Sequence, residues 1–181
     1  MEFNEILAQS FGILAMILNI ISFQCKNQKG IIALQLFGGA LFSVNYFMLG
    51  ATVGGMLNII GTLRAIVYLF KEKLKADRIG FLIAFVISYI AIYVLNFAVF
   101  GKEATPFNLI IEILPVIGMT ALNIGYRLKR AADVRRCAII SSPCWLTYNI
   151  VAGSWGAIAS EILTFSSIII GILRHDRKKQ D

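Results

Sequence analysis

Residues 79–100 read IGFLIAFVISYIAIYVLNFAVF, a run without a charge and almost without a polar side chain. Wound as a helix rising 1.5 Å per residue it is about 33 Å long, enough to cross the ~30 Å hydrocarbon core of a bilayer. Working outward, three further apolar runs precede it, near 6–24, 31–49 and 53–70. Three follow, near 107–126, 137–152 and 155–173. Hydrophobic residues make up 58% of the chain and charged ones 15%, against about 25% charged in ordinary soluble domains. The breaks at Gly50–Thr52 and Gly153–Ser154 leave room for tight hairpins only, so no soluble domain fits between the runs.

The charges count the spans independently. Fifteen of the seventeen basic residues fall in the breaks after the first, third and fifth runs and in the tail. The breaks that alternate with these hold one basic residue, Lys102. Short loops rich in Lys and Arg stay cytoplasmic, so the N-terminus is expected outside, the C-terminus in the cytoplasm, and the number of spans odd. Seven fits; six or eight break the alternation. The net charge of +7 is thereby assigned to helix ends and anionic headgroups, and no nucleic-acid partner is expected. Met1-Glu2-Phe3-Asn4-Glu5 is acidic where a cleaved signal would be basic, so the first run reads as a retained span. Cys137 and Cys144 are seven residues apart on one helix, too far for a disulfide. The only histidine is His175, and no metal site or cofactor is expected.

The runs also repeat. Slid by 103 positions without a gap, the apolar stretches and breaks from about 5 to 73 fall on those of the second half. Lys26 meets Lys129, Met16 meets Met119, Gly50 meets Gly153, Phe42 meets Trp145 and Asn58 meets Glu161. The expected fold is therefore an all-α integral membrane protein with seven transmembrane helices in a 3+1+3 layout. Residues 1–75 and 105–181 form two parallel three-helix repeats, and 76–104 carry the linker helix. Parallel repeats recur in secondary transporters, with the site at their interface.

Polar groups inside a bilayer are expensive and normally face the bundle interior or a water-filled cavity. Here they are Asn19, Ser22, Asn58, Arg64, Glu112, Asn123, Tyr148, Asn149 and Glu161. Asn58 and Glu161 each lie roughly 9 Å in from the outer end of their spans. Glu161 is too short to reach either surface and needs a partner, a proton or a substrate. Arg64, on the opposed repeat and roughly 7 Å away in height, is its expected partner. That pair is either a static tie or a coupling site. Phe42 precedes Asn58 by the same spacing with which Trp145 precedes Glu161, so two aromatic walls and two polar contacts form a pocket for a small polar solute. Gly38-Gly39 fall on Ser141-Ser142, where small residues let membrane helices approach closely.

Asn45-Tyr46-Phe47-Met48-Leu49-Gly50, Gly54-Gly55-Met56-Leu57-Asn58, Thr62-Leu63-Arg64, Leu114-Pro115-Val116-Ile117-Gly118, Cys144-Trp145, Tyr148-Asn149 and Ala152-Gly153-Ser154-Trp155-Gly156 with Glu161 together resemble the YgjV-type bacterial inner membrane protein family over nearly the whole chain. The resemblance implies a multi-pass protein of the bacterial inner (cytoplasmic) membrane. The layout is in turn similar to the SWEET and PQ-loop transporters. That similarity places Phe42 and Trp145 at pocket tryptophans and Asn58 and Glu161 at pocket asparagines. It sets Phe23-Gln24 at the Pro-Gln pair ending the first helix. The hinge proline is missing there, and Pro115 and Pro143 are the prolines inside spans. A proline removes a backbone hydrogen bond and lets a helix bend, so these two are the expected hinges.

The expected function is a small-solute transporter or facilitator with a pocket between the repeats, proton-coupled or suited to a polar or cationic solute. Its expected substrate contacts are Phe42, Asn58, Trp145, Asn149 and Glu161. The alternative is a non-transporting membrane scaffold or sensor with Glu161 permanently paired. No metalloprotease, phosphate-loop or nucleophile motif is present, so no enzymatic activity is expected. The partners are the lipid bilayer and a small solute, and a homodimer is as compatible with the pattern as a monomer.

Overall fold

The structure, a computed structural model, describes residues 3–48, 52–151 and 155–176. Those residues form α1 (Phe3–Ser22), α2 (Gln28–Met48), α3 (Thr52–Leu69), a one-turn α4 (Lys71–Leu74), α5 (Ile79–Ala98), α6 (Pro106–Arg127), α7 (Ala131–Val151) and α8 (Trp155–His175). The expected hairpin residues Gly50, Ala51, Gly153 and Ser154 lie outside the described residues, as do Met1, Glu2 and the tail basics Arg177, Lys178 and Lys179.

Each helix boundary has a local cause. The α6 start is set by Pro106 in the first turn, where a missing N–H costs nothing, and by the Thr105 hydroxyl, which accepts from the Asn108 N–H at 3.2 Å. After α5 the chain reverses through Gly101, whose φ of 74° suits a residue without a Cβ. The largest departure from the sequence reading is α7, which begins at Ala131 where the run suggested 137. Arg135 and Arg136 thus belong to a helix and not to a loop. Asp133 sits in that first turn, where it favours the helix dipole and pairs with Arg130 at 3.0 Å.

Packing divides the long helices into two groups joined by α5. Helix α2 runs between α1 and α3, and α7 runs between α6 and α8, while α5 lies against α6 and α3. The groups meet through α1 with α8, α3 with α6 and α2 with α7. Exchanging first for first, second for second and third for third helix leaves that set of contacts unchanged. Close approaches use small residues. A Cβ on Gly38 would stand 3.1 Å from Asn19 Oδ1 on α1, and one on Gly39 would stand 3.0 Å from Thr62 Oγ1 on α3.

The polarity is inverted relative to a soluble domain. Large apolar side chains such as Ile13, Phe37, Ile59, Ile87, Ile110, Ile140 and Ile162 point outward from every long helix. Arg64, Asn96, Glu112, Asn123, Arg135 and Asn149 are buried. Apolar coats of this extent mark surfaces that meet something other than water. Helices α2, α5 and α6 and residues Ala157–His175 of α8 are long and apolar enough to cross a membrane, with shorter apolar stretches at Ile6–Ser22 and Gly54–Leu69.

Candidate functional site

A cavity of about 130 Å³ lies between the two groups, well above the ~10–15 Å³ that one water requires. All six helices of the groups line it, and α5 does not. From the first group come Asn19 on α1 and Phe23 just beyond it, Gln35, Gly39, Phe42 and Tyr46 on α2, and Asn58 and Arg64 on α3. From the second come Met119 and Tyr126 on α6, Ser141, Ser142 and Trp145 on α7, and Ser160, Glu161 and Thr164 on α8.

Four of the five expected contacts, Phe42, Asn58, Trp145 and Glu161, are brought to this one cavity. Phe42 and Trp145 stand on the middle helices, Asn58 and Glu161 on the third. The aromatic walls are extended by neighbours, since Phe42 lies 6.1 Å from Tyr46 and Trp145 lies edge-on to Tyr148 at 6.0 Å. Asn58 donates to the Gly54 carbonyl on its own helix at 2.9 Å. Asn149 departs from the expectation: it is buried on α7, away from the cavity lining. Pro115 and Pro143 lie inside α6 and α7, and both helices continue through them. Gly39, read as a packing residue, packs against α3 and also lines the cavity.

The expected Arg64–Glu161 ion pair is absent. Arg64 Nη1 donates to the Met119 carbonyl at 2.9 Å and to the Tyr89 hydroxyl at 3.3 Å, and its guanidinium sits 4.7 Å from the centre of the Tyr126 ring. Glu161 Oε2 accepts from Ser142 Oγ at 2.6 Å. Each charge is drawn to its own side, Arg64 toward α5 and α6 and Glu161 toward α7. Both line the cavity between. The other intramembrane carboxylate, Glu112, pairs with Lys102 at 3.1 Å.

Below the cavity, where α1 and α6 end, the groups are tied together. The last carbonyls of a helix have no partner inside it, and here each group supplies partners to the other. Arg135 of α7 donates to the Phe23 carbonyl at 3.0 Å and to that of Cys25, and pairs with Asp176 at 2.8 Å. Gln28 of α2 donates to the carbonyls of Gly125, Tyr126 and Leu128 at 3.0, 3.2 and 2.6 Å. Tyr126 and Leu128 are 103 positions beyond Phe23 and Cys25, the offset that brings the two halves into register. Lys71 adds a bond to Gln28 Oε1 at 2.6 Å, and partial burial lowers its pKa. Gln24 donates to Ser167 at 2.8 Å, Ser167 to the Ile20 carbonyl at 2.6 Å, and Tyr126 to Gln35. Among the described residues, the hydrogen bonds between the groups lie at this end, except for that from Arg64 to Met119 at the cavity.

Several of these residues escaped the sequence reading. Gln35, Ser160 and Thr164 are polar residues within apolar runs, and the rule that singled out Asn58 would have found them. Arg135 could not be found that way, because it sits among basic neighbours that look like a loop.

A coat of apolar side chains around a polar interior and an inter-helical cavity defines a multi-pass membrane protein. The chain belongs to the family described as "Bacterial inner membrane protein", Imp-YgjV, whose model matches residues 6–179. It is similar to Inner membrane protein YgjV of Escherichia coli (strain K12), with 24% identity over 155 residues, covering 86% of this chain and 76% of that one. No solved structure matches it.

Proposed function

We propose that the chain is a seven-span transporter of small polar solutes, built as 3+1+3, with its substrate held between residues 1–75 and 105–181. The observation that carries this reading is the cavity, to which all six helices of the two groups contribute and from which α5 stays away. A site so placed changes shape when one group rocks against the other, which is what alternating access requires. The reciprocal capping of α1 by Arg135 and of α6 by Gln28 supports a repeat relation, since the same carbonyl positions are used in both halves. In this reading the tie at the basic end is a closed cytoplasmic gate, and the cavity is reached from the other face. Pro115 and Pro143 let α6 and α7 bend as the gate exchanges sides. The absence of an Arg64–Glu161 pair favours transport over a scaffold, which would keep Glu161 permanently neutralised.

The test is a thermal-shift screen of the purified protein in detergent against sugars, amino acids, polyamines and organic acids, followed by uptake of any hit into proteoliposomes. Ligands that bind only the folded state raise the melting temperature by mass action. A stabilising solute that is taken up by wild-type vesicles and neither stabilises nor crosses with Glu161→Gln supports the proposal. Stabilisation or uptake that is unchanged in Glu161→Gln, or no response to any class, refutes it.

A further inference from the structure

A buried charge without a counter-charge is costly, and intramembrane charges normally pair. The cavity holds two that do not, Arg64, which is buried, and Glu161, which is half-buried. All the hydrogen bonds of Arg64 leave from Nη1. Its Nε is buried without a partner, and Nη2 makes no hydrogen bond among the described residues. Nε and Nη2 form one edge of the guanidinium, the fork that fits the two oxygens of a carboxylate. No described carboxylate comes within ion-pair distance of it, since the ion pairs of the chain involve Glu72, Glu112, Asp133 and Asp176. Glu161 has a hydroxyl from Ser142 and no cation. Arg64 stands on α3 of one group and Glu161 on α8 of the other, and both line the same space.

We infer that the cavity takes a small zwitterion of the α-amino acid type, its carboxylate on the Nε–Nη2 edge of Arg64 and its ammonium on Glu161. This inference rests on the transport reading and narrows its substrate. Such a solute supplies both missing counter-charges at once and bridges the two groups through its own backbone. An amine alone leaves the guanidinium fork empty, and a carboxylate alone leaves Glu161 unneutralised. A sugar does neither. Phe42 and Trp145 remain to contact the apolar part of the solute, so neutral side chains suit the site better than charged ones.

The experiment compares ligands on the unmodified full-length protein in detergent: neutral amino acids from glycine to phenylalanine, then propionate, ethylamine and glucose. Melting temperature is read against concentration. At least one amino acid is expected to stabilise at concentrations about tenfold or more below those needed for propionate or ethylamine, since each lost half removes a charge-assisted contact. Arg64→Lys keeps the charge and loses the fork, and is expected to bind that amino acid no better than ethylamine. Ethylamine, propionate or glucose acting as strongly as every amino acid overturns the zwitterion and leaves the transport reading standing. An amino acid preference undiminished in Arg64→Lys overturns the assignment of its carboxylate. Silence from all these ligands overturns this inference, and the transport reading falls with it only if the wider screen of sugars, polyamines and organic acids is silent too.

Discussion

Replacing Arg135 by methionine tests whether the tie at the basic end holds the molecule together. The guanidinium is 1% exposed, and its partner Asp176 is 12% exposed. Methionine fills much of the space and removes three interactions, namely the ion pair to Asp176 and the bonds to the carbonyls of Phe23 and Cys25. Breaking a buried pair by deleting one member costs about 3–5 kcal/mol, because the remaining charge is left without compensation. For a chain of this length each kcal/mol moves the melting temperature by about 2–4 °C. The expected fall is therefore roughly 6–20 °C, read by fluorescence-monitored melting of the purified protein in detergent. Asp176→Asn removes the charge and leaves Arg135 its two carbonyls, which partly compensate it, and should cost less than Arg135→Met. A fall of under about 2 °C for Arg135→Met, or a larger loss for Asp176→Asn than for Arg135→Met, would refute the reasoning.

Three other changes have defined outcomes. Ser142→Ala removes the buried hydroxyl whose hydrogen bond Glu161 accepts and should cost about 1 kcal/mol, seen as a drop of about 2–4 °C in melting temperature; no change means the contact is not kept in solution. The double exchange Arg64→Glu with Glu161→Arg should rescue neither yield nor stability relative to the single variants, because Arg64 is held by the Met119 carbonyl and the Tyr126 ring; recovery would restore the direct ion pair. Gly39→Leu drives a side chain into Thr62 and should destabilise by about 1–3 kcal/mol; a wild-type yield and melting curve would contradict the close approach of α2 and α3.

What could be read from sequence follows from where the physics is local. Apolar runs and alternating clusters of basic residues are visible in the sequence itself, and the long helices fall on those runs. The 103-residue register needed no contacts either, and it placed Phe42, Asn58, Trp145 and Glu161 together at one cavity. Helix rotation is not local, because it is set by neighbours. For that reason the sequence pairs Arg64 with Glu161 when it turns to Met119 and Tyr126, and puts Asn149 in a pocket it does not line. Arg135 shows a third limit. Its composition context is that of a loop, and it is buried against carbonyls more than a hundred residues away and the Asp176 carboxylate.

The reciprocal capping bears on how the chain is made. The carbonyl of Cys25 waits for a guanidinium 110 residues downstream, which at 5–20 residues per second is an interval of roughly 5–20 s. Throughout that time the end of α1 is uncapped. Gln28 and Lys71 are likewise ready before the end of α6 exists. Neither helix end is capped until both halves exist, so a chain that stops between Cys25 and Arg135 carries an open helix end.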